Sequence, residues 1–321
     1  MLTMSRLDEL RLMAKVARMY YVQGIRQQGI TERLQLHQST VSRLLKRARQ
    51  ANLVRISVNN PPGIFADIED RLIAQFQLKD TVVVDCPAEE EPMVRDLGAA
   101  AAYFLETTVK PGTSIGISSW SRSLFAMVDA LHPGDSCRGG KVVQILGGVG
   151  DVGTEHHATY LAQRLAALIG ASAVLLQAPG VVGSAEARRV LARDASVSQA
   201  SELFEHLDLA LVGIGSMEPS RLLATSGNVF SPRERAQLTR QGAVGDICFR
   251  YYDAAGAPIK SPLLQRVIGI EPALLKRVPR VVGVAGGRPK IPAILGALRG
   301  NWIDVLITDQ RTAQALLSNG Q

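Results

Sequence analysis

A chain of 321 residues has room for two or three domains and a large core. With 46% hydrophobic and 20% charged residues it is globular rather than disordered, and no apolar run approaches the length of about 18 that a membrane span needs. The opening MLTMSRLDELRL has no apolar signal core, and Cys86, Cys137 and Cys248 show neither disulfide-framework nor zinc-finger spacing, so a cytoplasmic protein without membrane or metal is expected.

The net charge of +7 is unevenly placed. Residues 1–60 hold 11 Lys or Arg against 3 Asp or Glu, a charge of +8, and the remaining 25 basic and 26 acidic residues come to −1. A basic head on a neutral body reads either as a polyanion-binding module or as a solvated basic face.

Helical periodicity runs from about Leu7 to Gln23, with Leu10, Met13, Val16, Ala17 and Tyr20 on one face and Gly24 suited to a left-handed cap. A short helix follows, about Arg26 to Leu34, presenting Ile30 and Leu34. The third begins near His37 in LHQSTVSRLLKRARQ, where Val41, Leu44, Leu45 and Ala48 form an apolar stripe. Gln38, Ser39, Ser42, Arg43, Lys46, Arg47 and Arg49 fall on the wet side, with Thr40 among the leading hydroxyls. LVRISV, Leu53 to Val58, alternates as a strand, and NNPPG ends it. Three helices and a strand predict a winged helix-turn-helix domain over residues 1–60. Its third helix presents hydroxyls and a helix N-terminus to phosphates, Gln38 and Arg43 to base edges, and Lys46, Arg47 and Arg49 to the DNA backbone.

Residues 61–321 alternate strands with helices. IFADIEDRLIAQFQL, Ile64 to Leu78, is amphipathic, with Phe65, Ile68, Leu72 and Phe76 either pairing with a second copy or packing on its own body. TVVVD, SIGIS, VVQIL, AVLL, LALVGIG, VVGVAGG and DVLITD are near-continuous apolar strands, the mark of a parallel sheet covered on both faces, so a Rossmann-like α/β domain is expected.

Ligands of such sheets bind beyond the carboxyl ends of the strands. In GISSWSRSLFAMVDAL, Ser118, Ser119, Ser121 and Ser123 precede or open a helix and suit a phosphate cradle, or simply cap that helix. QILGGVGDVG offers Gln144 and then Gly147, Gly148 and Gly150 for close backbone approach, without the GxGxxG spacing of a dinucleotide site, so no cofactor is expected. Asp246, in GAVGDICFRYYD, suits either an acceptor of sugar hydroxyls or a turn former. Lys290, in AGGRPKIPAILGAL, stands at a helix start, where a cation suits an anionic ligand or is a solvated surface lysine.

The stretch YYVQGIRQQGITERLQLHQSTVSRLLKRARQANLVRI resembles the N-terminal domain of the SorC/DeoR family of bacterial sugar-responsive transcriptional regulators, with Arg26, Gln35 and His37 where that pattern has a Thr cap, a turn Gly and a Ser cap. ISSW, QILGGVG, LVGIGSM, GAVGDI, VAGG-x-x-K and DVLITD are similar to the effector domain of the same family, in the same order. The resemblance implies an effector domain related to sugar-phosphate isomerases, a phosphorylated sugar or polyol as effector, double-stranded operator DNA as partner, and a homo-oligomer, dimer or tetramer. By that similarity Ser118, Ser119, Trp120 and Ser121 hold the phosphate side, Lys290 supplies the counter-charge and Asp246 contacts hydroxyls; Ser119 is an extra residue relative to the family's shorter S-W-G form.

The expectation is therefore a one-component regulator of a carbohydrate or polyol operon, not an enzyme. A sugar-phosphate isomerase or deaminase with a nucleic-acid-tethering head is the rival, and it requires a positioned acid/base set. Five histidines exist: His37 in the DNA motif, His132 and His206 near helix ends, and the adjacent His156 and His157, whose side chains point apart on a helix. A purely architectural DNA-binding protein would leave the large neutral body unexplained.

Overall fold

The structure is a computed structural model that describes residues 6–54, 61–149, 158–219, 223–224 and 230–320. The chain divides into two units, Met1–Asn60 and Pro61–Gln321.

In the first unit, helix α1 (Arg6–Ala17) continues into a single π turn, Arg18–Val22, and Gly24 takes φ +67° after it. Helix α2 spans Gln27–Leu34 and α3 Gln38–Gln50. Met13, Val16, Ala17, Met19 and Ile30 meet Val41, Leu44, Leu45 and Ala48 in one small core. The expected apolar face of α1 needs correction. Leu10 and Tyr20 are exposed, and Tyr21 packs against the core instead. The wider π turn takes about one more residue per revolution, which moves the inward position from Tyr20 to Tyr21. Arg26 and His37 make no side-chain cap, and Gln35 adopts φ 51° where a glycine is usual, at a conformational cost of about 1–2 kcal/mol. Most of the expected strand Leu53–Val58 lies outside the described residues, as do Gly150, His156 and His157.

The second unit opens with α4 (Ala66–Phe76), whose Leu72 and Phe76 are buried in the body's own core, with Phe65 and Ile68 packed against it. Of its two expected roles the structure shows the packing on its own body. The main sheet is built of β1 (Asp80–Val84), β2 (Ser114–Ile117), β3 (Lys141–Gln144), β4 (Ser172–Val174), β5 (Leu209–Gly213), β9 (Val281–Val284) and β10 (Val305–Asp309). All seven are parallel, in the order β1-β10-β9-β5-β2-β3-β4. Outward from β2 the chain winds first through β3 and β4, then returns to the other side through β5, β9 and β10. The winding direction therefore reverses between β2 and β5, the place where doubly wound sheets open a crevice.

Successive strand residues enter two different cores, as a period of two requires. Leu209 and Leu211 join α5 (Glu90–Thr108), α6 (Arg122–Ala130) and α7 (Ala158–Ile169) on one face. Ala210 and Val212 join the other, where helices Ile291–Arg299 and Gln310–Asn319 pack. A three-stranded antiparallel sheet, β6 (Gly215–Ser216), β7 (Ala243–Ile247) and β8 (Arg250–Asp253), grows from the end of β5. Its β7–β8 turn consists of Cys248 and Phe249 alone, at φ 53° and 58°. Among the described residues no helix is long and apolar enough to cross a membrane.

Candidate functional site

Beyond the carboxyl ends of β2, β5 and β9 lies a cavity of about 570 Å³. After β2 the chain turns through Ser118, Ser119 and Trp120, the last at φ 65°, and enters α6 with Ser121 as N-cap. β5 ends in Gly213, and Gly215 follows. A side chain on Gly213 would start 2.5 Å from Ser121 Oγ, and one on Gly215 2.2 Å from Asp246 Oδ1, so the two glycines admit the hydroxyl and the carboxylate. After β9 the Gly286–Lys290 turn closes the third side. Three residues of the wall, Trp120, Cys248 and Phe249, are non-glycine residues in the left-handed region. Such conformations cost about 1–3 kcal/mol each and gather at functional sites.

The three serines are not equivalent donors. Ser119 Oγ donates to Leu146 O at 2.8 Å and accepts from Gln144 Nε2 at 3.2 Å, so its proton is spent. Ser118 Oγ accepts from Gly213 N at 3.2 Å and Ser121 Oγ from Leu124 N at 3.4 Å, and among the described residues neither hydroxyl proton has an acceptor. With the N–H groups of the first turn of α6, these hydroxyls have the chemistry an anion cradle needs.

Across the cavity, Asp246 is buried on β7, and its Oδ2 accepts Phe249 N–H at 2.9 Å. Asp246 thus closes a turn, one of its two expected roles, and it also lines the cavity. Burial raises its pKa to about 6, against the opposing pull of that hydrogen bond and of Lys290. Lys290 keeps some accessible surface, but cavity walls surround it. The resulting desolvation lowers its pKa, Asp246 and Glu90 pull it back up, and Arg122 adds to the lowering.

The structure thus brings Ser118, Ser119, Trp120, Ser121, Asp246 and Lys290 to one cavity, and it does not bring Gln144, Gly147 or Gly148 there. Gln144 is fully buried beneath it, its amide nitrogen holding Ser119 Oγ and, at 2.9 Å, Leu146 O. Gly147 approaches backbone, not ligand: a side chain there would start 2.4 Å from Pro179 O. Sequence reasoning passed over Arg122 and Glu90, which line the cavity, and the Cys248–Phe249 turn.

Residues 61–318, nearly all of the unit that holds the cavity, match the sugar-binding domain family. Over 98% of its length the chain is 32% identical to the whole of the sorbitol operon regulator of Klebsiella pneumoniae. The chain is a SorC/DeoR-family transcriptional regulator. It is also 32% identical to the deoxyribonucleoside regulator of Bacillus subtilis, across 97% of this chain and 99% of that one. The crystal structure of the full-length sorbitol operon regulator SorC superposes with a TM-score of 0.73 at 31% identity, covering 97% of this chain and 99% of the other. The sugar-binding domain of the regulator DeoR from Pseudomonas syringae pv. tomato gives 0.63 at 37% identity, covering 79% and 99%. The match to the sugar-binding domain family thus falls on the unit whose strand ends form the serine-, aspartate- and lysine-lined cavity.

In the first unit, Gln38, Ser39, Ser42, Arg43, Lys46, Arg47 and Arg49 are exposed on α3 opposite its buried stripe, with Thr40 half-buried. Arg47 is ion-paired with Glu9 of α1. No acidic residue stands in the first turn of α3.

Proposed function

We propose that this regulator reads operator DNA through α3 and is switched by a phosphorylated sugar or polyol held in the cavity. α2 and α3, joined by three residues, act as a helix-turn-helix. Ser39, Thr40 and Ser42 approach phosphates, Gln38 and Arg43 read bases, and Lys46, Arg47 and Arg49 contact the backbone. The effector's phosphate lies on Ser118, Ser121 and the first turn of α6, with Lys290 as counter-charge. Trp120 and Ser119 shape that turn, and Asp246 accepts a sugar hydroxyl. The protein works in the cytoplasm as a dimer or tetramer, because one such head covers too little DNA for operator specificity.

The observation that carries this reading is the convergence on one cavity of a helix N-terminus, a lysine and two hydroxyls whose protons have no acceptor among the described residues, opposite a carboxylate. A thermal-shift screen of sugar phosphates and polyol phosphates, each paired with its unphosphorylated parent, tests it. A ligand stabilises as RT ln(1 + [L]/Kd), so a binder rises with concentration and its parent should lag far behind. Equal response to both members of every pair would refute the phosphate assignment. The same incubations followed by NMR decide the isomerase reading, since a regulator leaves its effector unchanged.

A further inference from the structure

Arg122 is the first residue of α6, and its guanidinium is held by two carboxylates from the first turn of α5: Glu90, at 2.5 Å, and Glu91. Arg122 is mostly buried, at 24% side-chain exposure, whereas Glu90 and Glu91 are 70% and 84% exposed. Arg122 and Glu90 line the same cavity as Ser118, Ser121 and Lys290. One cation facing two anions leaves the cluster with an excess negative charge beside the cradle for a phosphate.

A dianion seated on that cradle meets this arrangement directly. Next to Glu90 and Glu91 it would be repelled, and next to Arg122 it gains a forked, charge-assisted donor that a phosphate matches at least as well as a carboxylate does. The two glutamates give up little on leaving, because exposed ion pairs contribute little and both side chains already stand mostly in water. Resting on the phosphate reading above, we propose that Arg122 is a second phosphate-binding cation of the effector site, handed from Glu90 and Glu91 to the entering phosphate.

The exchange gives the ligand a mechanical consequence. Met93 and Leu97, one and two turns along α5, also line the cavity. They pack under the loop that bears Lys290: side chains built on Gly287 and Gly286 would start 2.9 Å from Met93 Cε and from Leu97 Cδ1. Release of the first turn of α5 from α6 is therefore felt by the turn that supplies the other cation. A neutral sugar has no charge with which to displace the glutamates, so the pair also selects against unphosphorylated ligands.

The test uses the full-length protein and inorganic phosphate, with chloride exchanged to hold ionic strength constant, reading the thermal midpoint against phosphate concentration. Arg122→Gln should raise the apparent Kd about tenfold, the loss of a charged hydrogen-bond donor. Glu90→Gln/Glu91→Gln should lower it about three- to tenfold by freeing Arg122 and removing repulsion, and should lower it clearly less when Arg122→Gln is already present, where only the repulsion is relieved. Arg122→Lys, which keeps the charge without the fork, should fall between wild type and Arg122→Gln, and serves if the latter unfolds. An unchanged Kd in Arg122→Gln, or an equal gain from the glutamate changes with and without Arg122, overturns the exchange while phosphate binding by wild type leaves the cavity reading standing. Absence of any phosphate stabilisation in wild type overturns both.

Discussion

The carboxylate of Asp309 receives the backbone N–H of Gly287 at 2.9 Å, across from one strand end to the next. Asp309 ends β10, and its side chain also caps the following helix through Thr312 N at 2.9 Å and binds Thr312 Oγ1 at 2.5 Å. One buried carboxylate thereby fixes the C-terminal helix and the turn that carries Lys290. Asp309→Ala should remove a cap and leave buried groups short of a partner, for a loss of about 2–4 kcal/mol in a urea melt. Asp309→Asn, which keeps an acceptor, should lose less. If both unfold at wild-type urea concentrations, this carboxylate is not what secures the loop.

Asp246 gives stability a pH dependence of definite sign. The native carboxyl holds its proton to about pH 6, whereas in the unfolded chain it ionises near 3.8. Between those values the native state binds more protons, so stability falls as pH rises, and the full penalty, about 3 kcal/mol, is present above pH 6. Asp246→Asn still accepts from Phe249 N–H and carries no charge. Its melting temperature should therefore exceed wild type at pH 7 and approach it at pH 4, while sugar-phosphate affinity falls. A variant less stable than wild type at pH 7 would mean that its ion attraction to Lys290 outweighs its burial.

The hydrogen-bond inventory separates the serines. Ser121→Ala removes the hydroxyl proposed to donate to the phosphate and should cost about 1.5–3 kcal/mol of ligand affinity, beyond about 1 kcal/mol of helix capping seen in melts. Ser119→Ala removes a hydroxyl whose proton is already used on Leu146, so it should act on stability more than on affinity. Isothermal titration on both variants checks this. A larger affinity loss for Ser119→Ala would show that the loop rearranges on binding.

How far the sequence reveals this site depends on what each residue does. The strands are legible because a sheet buried on both faces leaves a continuous apolar run, and the hydroxyl turn is legible because it opens a helix. The β7–β8 hairpin is not. Two-residue turns with both φ positive are announced by Asn-Gly or Asp-Gly, and here they are made by Cys248 and Phe249, which carry no such signal. Gly147 and Gly213 look alike in sequence, yet one makes room for the Pro179 backbone and the other for Ser121. Arg122 stood inside the hydroxyl motif, but only the structure shows it held between two helix starts.

On α3, Arg43 and Arg49 should behave differently on DNA. Arg43→Ala should weaken specific operator binding by about 1–3 kcal/mol if it reads a base, whereas Arg49→Ala should weaken all DNA alike and flatten the salt dependence by about one unit. The ion pair to Glu9 adds a third variant, because Glu9→Gln frees Arg47 and should strengthen binding to random DNA. Titrations of operator and random duplexes at several salt concentrations distinguish these, and equal losses on both duplexes for Arg43→Ala would reassign the base-reading position.

Lys290, the counter-charge in the proposed site, tests the link between effector and DNA response. A phosphate dianion facing Lys290 gains a charge-assisted hydrogen bond worth about 1.5–3 kcal/mol, or roughly ten- to hundredfold in affinity. The lysine belongs to the second unit, whereas the basic helix belongs to the first, so Lys290→Ala should bind operator as wild type does when no effector is added. An effector shifts DNA affinity only through its different affinity for the two DNA-binding states. The variant should therefore need more effector for the same shift, with its end point preserved. The midpoint of operator binding titrated with a responsive sugar phosphate measures this directly. An unchanged midpoint would remove Lys290 from the site, and a changed end point would place it in the coupling between cavity and DNA rather than in binding alone.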